Sequence, residues 1–505
     1  MSFINTPPPA ETPSVAIIGG GIGGLFTGAL LAKNGCRVTV LEKNIIIGGG
    51  LQCFKRGDSV FETGMHVLGG FQEGGSIKRI LSYLGIYDKL RIRSVDADCI
   101  DSIYFASDGI TYSIPHGREP FEKYLIKTFP SEAKGITEYV KAIYALTGEI
   151  DLFNLRPSSH DMFAYNPSLF VPADQFIEKF TLNSKLQALL AYMNPLYGGI
   201  KGHTPAYIHA IINVLYIEGS HFFEGGGQQL ADKLCEVITS AGGAVHTDDA
   251  VDKIVCCQRK VMKLVTRKGK EYTADYYVSA IHPQLLVDII EGESFSPAYK
   301  KRLKSIPNTY SAFTLYIRLK ENTQPYVNHP CYFVDDYSSV WGMQKSDEQW
   351  PKGFMCFTPP EENQGPWAKR IIVSCLIESE AVQPWADSSL GHRPQGYVDW
   401  KRDMQEKVLA RLNEYIPGIR ESIADIYTSS PLTIRDYYGT PGGALYGYRI
   451  DSDNPALAQV PVVTKVSNLF LTGQNMNLHG ICGVPLTAIT TAEAILGQNS
   501  ILPFL

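Results

Sequence analysis

Short apolar runs and a helical apolar pattern alternate near the start of the chain. Val15–Ile18 is an apolar run of the kind found in buried parallel strands. Glycine-rich residues follow, and then "GLFTGALLAKNG" has apolar residues at helical spacing, with Gly35 as a stop signal. The segment "CRVTVLE" has the pattern of a second strand that ends on Glu42. The pattern therefore predicts a strand, a glycine turn, a helix and a second strand within about 30 residues.

Two later blocks combine strand and helix patterns in the same way. His221–Ile254 is predicted to form a turn, an amphipathic helix, a Gly-Gly stop and a strand. Asn468–Leu496 is predicted to begin with the strand "NLFLTG", which ends on Gly473. Pro485 fits the first turn of the helix that follows, because its missing N–H and fixed φ are tolerated there.

Two long insertions lie between these blocks and have different patterns. The first contains helical stretches such as "PFEKYLIKTF" and "QFIEKFTLNSKLQALLAYM". The second contains strand patterns such as "TLYIRLK", "PCYFVDD", "GFMCFTPP" and "RIIVSCLI". We therefore predict an α/β protein in which the insertions form a second domain, a mixed sheet backed by helices.

The predicted domains are discontinuous in sequence. The first domain is assembled from three segments: 14–95, 220–285 and 460–503. The second domain is built from the two insertions: 96–219 and 286–459. Residues 1–13, which contain three consecutive prolines, are predicted to be a flexible N-terminal tail.

Composition narrows the class of protein. The 505 residues are 44% hydrophobic and 19% charged, with a net charge of −5, and no block of Lys and Arg indicates a nucleic-acid surface. The ten cysteines form no CxxC pair and no zinc pattern, so we predict no metal site and expect a reducing cytoplasm. The N-terminus has no signal-peptide pattern, and no run of 18 apolar residues predicts a membrane span. Peripheral contact with a membrane stays open.

The glycine turn after the first strand has the spacing of a dinucleotide site. Gly19, Gly21 and Gly24 satisfy G-x-G-x-x-G, in which the first permits the turn, the second lets a pyrophosphate approach the backbone, and the third lets helix and strand pack. The start of the helix offers free N–H groups and a partial positive charge to the pyrophosphate. Glu42 is placed to accept hydrogen bonds from ribose hydroxyls.

The residues after Glu42 distinguish the type of dinucleotide. A glycine run at Gly48–Gly50 and the segment Glu62-Thr63-Gly64 resemble the FAD-dependent amine oxidase and phytoene desaturase superfamily, which carries a GG pair and a D/E-T-G segment beneath the flavin. The resemblance implies a Rossmann-type, glutathione reductase-like FAD-binding domain. It implies these cofactor-binding residues: Gly19, Gly21, Ile22, Gly23, Gly24, Glu42, Lys43, Gly48, Gly49, Gly50, Leu51, Gly64, Met65, His66, Val251, Gly473, Gln474, Val484, Pro485 and Leu486.

The resemblance also suggests where parts of the cofactor lie. The Val251 backbone would contact the adenine, and Gly473 would lie beside the pyrophosphate and the ribityl chain. The N-terminus of a helix at Val484–Leu486 would point at flavin N1 and O2. The sequence departs from the family pattern at Gly50, where arginine is usual, and at Gln474, where an acid is usual.

Two stretches resemble the retinol saturase, phytoene desaturase and carotenoid isomerase branch of this superfamily. They are "FETGMHVLGGFQEGGSIKRIL" and Ser429–Tyr448, "SSPLTIRDYYGTPGGALYGY". This resemblance implies an apolar, isoprenoid small-molecule substrate that reaches the flavin through a long apolar tunnel, and hydride transfer at flavin N5 in desaturation, saturation or isomerisation. The residues predicted to line the substrate site are four tyrosines: Tyr437, Tyr438, Tyr446 and Tyr448.

The chemistry requires a proton donor or acceptor, and two histidines are candidates. His66 and His479 lie in the flavin-proximal motifs, where a structural histidine is the alternative. Cys482 is interpreted as a small packing residue. A flavin amine oxidase and a non-catalytic prenyl-binding protein of the same fold, like the Rab escort proteins, remain alternatives. The electron donor or acceptor is unknown, since no second dinucleotide motif is present.

Overall fold

The computed structural model describes residues 12–64, 66–157, 166–292 and 294–505. Most of the predicted tail and the predicted cofactor-binding residue Met65 therefore lie outside the described residues. The strands, in chain order, are β1 (Ser14–Ile18), β2 (Arg37–Leu41), β3 (Cys53–Arg56), β4 (Ser59–Glu62), β5 (Leu68–Gly69), β6 (Ile92–Ser94), β7 (Asp101–Phe105), β8 (Ile110–Ile114), β9 (Ser220–Phe223), β10 (Ala244–His246), β11 (Val251–Cys257), β12 (Lys260–Thr266), β13 (Glu271–Tyr272), β14 (Tyr276–Ser279), β15 (Ser311–Leu319), β16 (Cys331–Val334), β17 (Gly353–Phe357), β18 (Arg370–Ile377), β19 (Ile423–Ser429) and β20 (Leu469–Leu471).

The helices alternate with these strands in the manner of an α/β protein. In chain order they are α1 (Ile22–Lys33), α2 (Ser76–Leu84), α3 (Arg118–Thr128), α4 (Ala133–Gly148), α5 (Ala173–Glu178), α6 (Ser184–Ala191), α7 (Ala206–Ile217), α8 (Gln228–Ser240), α9 (Pro283–Ile289), α10 (Pro297–Ser305), α11 (Gln395–Tyr415), α12 (Ile419–Ser422), α13 (Pro431–Tyr438), α14 (Pro455–Ala458) and α15 (Gly480–Leu496). Within the described parts of the chain, none of these helices combines the length and the apolar character needed to cross a bilayer.

A parallel five-stranded sheet forms the centre of one part of the molecule, which we call the first body. Its order is β10-β2-β1-β14-β20, and every neighbouring pair is parallel. Helix α1 packs against α8 and α15 on one side of this sheet. Strand β1 is apolar from Val15 to Ile18 and β20 is apolar throughout, as the sequence pattern predicts for short buried parallel strands. Its strands come from separated stretches of the chain, all within the segments predicted for the first domain.

A mixed seven-stranded sheet forms the second body. Its order is β19-β15-β18-β17-β16-β7-β8, with one parallel pair, β16 and β7, among antiparallel neighbours. Strand β15 alternates between two buried faces. Phe313, Leu315 and Ile317 belong to the core that includes residues of α11, whereas Tyr316 faces the first body and packs on Phe61. The predicted α/β class with an inserted mixed sheet is confirmed.

One predicted helical stretch is interrupted. The segment "QFIEKFTLNSKLQALLAYM" forms α5 and α6, because the side chain of Asn183 accepts hydrogen bonds from the amides of Lys185 and Leu186 and caps a new helix. Helices α4 and α7 pack against each other nearby, and α7 contacts β9. Helix α7 thereby lies beside the junction of the two bodies.

Candidate active site

Two glycine turns lie backbone to backbone at the carboxyl end of β1. Gly19 has φ +102° and turns the chain into α1, which few side chains would allow. The amide of Gly48 donates to the carbonyl of Gly20 at 2.7 Å, and Gly21 pairs with Gly48 in a parallel bridge. The two glycine motifs that the sequence separates by a helix and a strand thus form one loop pair.

A third glycine segment, at Gly473, lies against these two turns. We call the backbone of Gly19–Gly24, Gly48–Gly50 and Gly473 the glycine surface. Gly473, which follows β20, has φ +102°, and a Cβ built on Gly23 would lie only 2.9 Å from its Cα. The hydroxyls of Thr27 and Thr472 share a buried hydrogen bond of 2.8 Å beside it. In front of Gly21, by contrast, an added Cβ would meet nothing closer than 3.9 Å. The surface is therefore bare peptide with open space before Gly21, which fits the approach of a dinucleotide pyrophosphate.

Glu42 connects the glycine turn to the adenosine end of the predicted site. Its buried carboxylate accepts from the amide of Gly20 at 2.7 Å and from the amide of Asn44 at 2.8 Å. The amide of Asp249 donates to the carbonyl of Glu42 at 2.9 Å. Val251 follows Asp249 by two residues, so the start of β11 lies close to this loop. Lys43 donates to the carbonyl of Asp436 at 2.7 Å, so its ammonium joins the two bodies. The predicted residues of this end lie together.

A second group lies at the other end of the glycine surface. The hydroxyl of Tyr438 donates to the hydroxyl of Thr63 at 3.1 Å, and a Cβ on Gly64 would collide with the Tyr438 hydroxyl. Gly50 lies opposite the same hydroxyl, at 3.9 Å from a built Cβ, and Leu51 is buried beside it. The Glu-Thr-Gly segment is therefore in contact with a tyrosine of the second body.

The predicted start of the closing helix is wrong. Helix α15 begins at Gly480, with His479 as its extended N-terminal cap, so Pro485 lies in the second turn. Gly480 has φ +71° and permits the turn into the helix earlier than proline, the stronger local signal, suggests. In a helix that begins there, the free amides belong to Gly480, Ile481 and Cys482. The amides of Val484 and Leu486 come too late to be free.

Some of the predicted residues of this motif nevertheless lie at the glycine surface. A side-chain carbon of Val484 lies 3.6 Å from a Cβ built on Gly23. Gln474 donates to the carbonyl of Leu445 at 3.4 Å, and Leu486 is fully buried in the main core. Burial raises the pKa of the Cys482 thiol to about 12, so this cysteine stays a neutral packing residue.

His479 is a buried imidazole at an apolar cavity. Burial lowers its pKa to about 4, and its Nε2 has no hydrogen-bond partner. The cavity beside it is small, about 10 Å³, and apolar side chains dominate its lining. The lining residues are Phe153, Ile208, Ile211, Ile212, Leu478, His479, Cys482 and Gly483. A neutral imidazole with a free nitrogen at such a cavity can accept or donate one proton.

His66 is held in a different environment. Its Nδ1 is buried without a hydrogen-bond partner and lies 3.8 Å from Glu62, and its ring packs on Phe357 with centroids 4.8 Å apart. Burial raises the pKa of Glu62, and the neighbouring His66 opposes that rise. The two predicted histidines therefore lie in different surroundings: His66 beside Glu62 and Phe357, and His479 beside Tyr446 at an apolar cavity.

The four predicted lining tyrosines do not form one wall. Tyr438 contacts Thr63, and the ring of Tyr446 lies 5.5 Å from that of His479. Tyr437 is 43% exposed, because α13 directs adjacent residues to different sides. Tyr448 is buried in a separate core, where its hydroxyl donates to the carbonyl of Leu303. The predicted lining role of Tyr437 and Tyr448 is therefore not supported by their positions.

A buried polar group near Tyr446 was missed by sequence reasoning. Tyr192 donates to the carboxyl of Asp101 at 2.7 Å, and burial raises the pKa of Asp101 to about 8. The hydroxyl of Tyr332 is buried without a partner, and Asp101, Tyr216 and Tyr446 are its electrostatic neighbours. These residues come from four distant parts of the chain, so no local motif could have revealed the group.

Comparisons with known proteins give a family match, curated relatives and a shared fold. The family model described as flavin containing amine oxidoreductase matches residues 22–496. All-trans-retinol 13,14-reductase of Macaca fascicularis is 25% identical over 97% of this chain and 86% of that protein. Prolycopene isomerase 2, chloroplastic, of an Oncidium hybrid cultivar is 21% identical over 96% of this chain and 84% of that protein. A solved oxidoreductase from Methanosarcina mazei shares the fold with a TM-score of 0.65 and 17% identity, covering 95% of this chain and 100% of that one.

Proposed function

The chain belongs to the flavin containing amine oxidoreductase family, and on that premise we propose that it transfers a hydride to or from a carbon–carbon double-bond system of an apolar isoprenoid. The predictions of this superfamily, of FAD as cofactor and of an FAD-dependent oxidoreductase are confirmed by the family match and the relatives. The substrate class and the reaction are the proposal.

The glycine surface is where FAD would be held. Gly21 would face the pyrophosphate, the Glu42 loop would face the adenosine, and Thr63 and Gly64 would lie at the flavin end. When bound, FAD supplies a two-electron hydride donor or acceptor. The chain must then bind an apolar substrate and move one proton at the carbon next to the hydride.

The observation that carries the proposal is the apolar lining beside His479; the cavity itself, about 10 Å³, is too small to hold a polyene and would have to widen on binding. Its lining contains no carboxylate and no charged side chain apart from the histidine, which its lowered pKa keeps neutral at pH 7. A cationic amine would lose its hydration there and find no carboxylate to pair with, whereas an apolar polyene has no such hydration to lose. The relatives whose names carry retinol and prolycopene support the same substrate class.

The proton would move through the residues around this cavity. His479 has a free ring nitrogen at the cavity, and Tyr446 packs on its ring. The hydroxyl of Tyr446 donates to the carbonyl of Pro195. The same buried polar group contains the unpartnered hydroxyl of Tyr332 and Asp101, whose pKa of about 8 makes it a protonated carboxyl at neutral pH. In a reduction, this group would supply the proton; in a desaturation, it would receive it.

A half-reaction tests the proposal without knowledge of the electron partner. The purified protein with bound FAD is reduced with dithionite under anaerobic conditions and mixed with all-trans-retinol, with lycopene and, separately, with putrescine. Oxidised enzyme is mixed with the same compounds in parallel. We expect a flavin absorbance change and a chemically altered product with a polyene only. Reduction of the flavin by the amine, with no reaction of either polyene, would replace this proposal by the amine oxidase alternative.

A further inference from the structure

A second group of reactive side chains lies in the seven-stranded sheet, apart from the glycine surface. Cys331 in β16 lies directly opposite Cys356 in β17, and both are free thiols. Cα atoms of directly opposed residues in antiparallel strands are about 4.5–5.5 Å apart. That separation lies within the range of about 4.4–6.8 Å that a disulfide requires. The two thiols are therefore placed so that a bond between them needs no rearrangement of the backbone.

A histidine and a carboxylate accompany the first of these thiols. His329 lies two residues before Cys331, and the thiols of Cys331 and Cys99 act electrostatically on its imidazole. Its Nδ1 lies 3.4 Å from the carboxylate of Asp96, which also accepts a hydrogen bond from the side chain of Asn328 at 3.0 Å. A carboxylate that orients an imidazole close to a thiol in the chain is the set of groups that can activate a nucleophilic cysteine.

The electrostatics agree with the geometry. The hydrogen bond from the Cys356 thiol, together with His329, lowers the pKa of Cys331 despite its burial. The same pairing raises the pKa of Cys356, which is also more deeply buried. Burial alone would lower the pKa of His329, but the adjacent thiols raise it to about 10. The directions of these shifts favour the thiolate at Cys331 over the thiolate at Cys356, and the charged form of His329.

The thiol pair opens on a cavity large enough for a small molecule. The cavity has a volume of about 360 Å³ and is mainly apolar. Its walls include Cys331, Cys356, Val327, Ile371 and Tyr415. Phe357 also belongs to this lining, and its ring packs on His66, so one aromatic side chain separates the cavity from the predicted flavin end of the first body.

We propose that Cys331 and Cys356 form a dithiol centre that reduces an apolar organic hydroperoxide, with Cys331 as the attacking thiolate, His329 as the proton donor and Cys356 as the resolving thiol. The substrate class follows from the apolar walls, which favour an alkyl or aryl hydroperoxide over charged disulfides such as those of glutathione. An alkoxide leaving group requires a proton, and His329, two residues before Cys331 in the chain, is the group proposed to supply it.

The reaction proceeds in two steps. The Cys331 thiolate attacks the terminal oxygen of the hydroperoxide; the S–O bond forms, the O–O bond breaks, and the alkoxide takes a proton from His329 to leave as an alcohol. The Cys356 thiol then attacks the sulfur of the sulfenic acid; the S–S bond forms, the S–O bond breaks, and hydroxide leaves with the thiol proton as water. Two thiols and one hydroperoxide thus give one disulfide, one alcohol and one water, and two electrons pass from sulfur to oxygen.

The experiment uses the full chain with its FAD and one equivalent of cumene hydroperoxide. We expect the loss of two free thiols per chain, a peptide pair joined through Cys331 and Cys356 in the mass spectrum, and one equivalent of cumyl alcohol. Hydrogen peroxide, which gains nothing from apolar walls, should react more slowly. Cys356→Ser should stop at the sulfenic acid, which dimedone traps on Cys331.

Matched variants identify the role of each group. Cys331→Ala should abolish alcohol formation, and His329→Gln should slow it by roughly tenfold or more. Cys257→Ser removes an exposed thiol and should change nothing, and retained FAD absorbance shows that each variant is folded. Alcohol formation that survives Cys331→Ala, or a wild-type protein whose oxidised thiols exclude Cys331, would overturn the proposal. Neither result depends on the isoprenoid half-reaction, so the two proposals fail separately.

Discussion

Gly23 in the first glycine turn and Gly473 after the last strand of the parallel sheet stand backbone against backbone. A Cβ built on Gly23 would lie 2.9 Å from the Cα of Gly473, which is closer than real Cβ contacts occur. Residues 450 positions apart therefore close one surface: Gly23 has no space for a side chain, and Gly473 has a φ of +102° that other residues rarely adopt. Gly21 differs, because an added Cβ there meets nothing closer than 3.9 Å. This contrast separates glycines that the fold requires from a glycine that the cofactor requires.

The first prediction concerns that contrast. Gly21→Val should fold, since the protein leaves space for the side chain, but it should purify without FAD because the side chain occupies the approach of the pyrophosphate. Gly23→Val is the matched variant and should lose both FAD and thermal stability. Flavin absorbance and circular dichroism of the two purified variants measure these outcomes. A Gly21→Val protein with full flavin occupancy would contradict the placement of FAD.

The second prediction concerns Gly64 and Tyr438. Gly64→Ala drives a methyl group into the Tyr438 hydroxyl and should weaken FAD binding or stability by about 1–3 kcal/mol. Tyr438→Phe alone loses the hydrogen bond to Thr63, which costs about 0.5–1.5 kcal/mol. In the double variant the collision is relieved, so the loss should be smaller than the sum of the two. Unfolding midpoints and FAD dissociation constants of all four proteins test this, and simple additivity would exclude the contact.

The third prediction concerns the charge of His479. Its folded pKa of about 4 lies below the ordinary value of 6.5, so between these values the unfolded chain binds a proton that the folded protein does not. Stability should therefore fall as the pH is lowered through this window, and at pH 5 this histidine should account for about 2 kcal/mol of the loss relative to pH 7. His479→Gln should remove that part of the loss. Urea denaturation of the wild type and the variant at both pH values measures it.

A control keeps this effect apart from other histidines. His392 is exposed, and His392→Gln should leave the difference between pH 7 and pH 5 as in the wild type. If His479→Gln loses as much stability on acidification as the wild type, the imidazole is not buried as a neutral group.

The fourth prediction concerns Asp101. Burial raises its pKa to about 8, so the carboxyl is neutral at pH 7 and ionises above pH 8. If this proton supports the half-reaction, the wild-type rate should fall above pH 8. Asp101→Asn, which keeps a neutral side chain of the same shape beside Tyr192, should lose this fall while still binding FAD. Stopped-flow rates of the reduced enzyme with all-trans-retinol from about pH 6 to 10 test it, and an unchanged profile in the variant would remove Asp101 from the proton group.

Sequence patterns predicted the parts of this molecule that have a local steric cause. The turn at Gly19, the strand before it and the acid at Glu42 all follow from what a dinucleotide turn requires, and the structure brings them together. The start of α15 was misplaced because Pro485 is a strong local signal for a first turn, whereas Gly480 acts through a φ of +71° that the sequence does not display.

Other features have no local signal at all. Tyr437 and Tyr438 are neighbours in sequence, but helical geometry exposes the first and turns the second onto Thr63. Asp101 and Tyr332 become a buried pair of neighbours only when two strands and a helix of the second body assemble. Such groups depend on tertiary packing, and reading the chain segment by segment cannot identify them.

The last prediction concerns the cavity beside His479. Ile212 lies on α7, lines this cavity and is only partly buried, so a larger side chain there has room to settle without breaking the core. Ile212→Phe should narrow the cavity and slow the half-reaction with all-trans-retinol by roughly tenfold, since one or two displaced methylene groups are worth about 1–3 kcal/mol in an apolar pocket. FAD content and the rate of flavin reduction by dithionite should stay at wild-type values, because the glycine surface is untouched. Ile212→Val, which changes the volume in the other direction by one methylene, is the matched variant and should bind the polyene with little change. Equal polyene rates in the Phe variant and the wild type would show that the substrate reaches the flavin by another path.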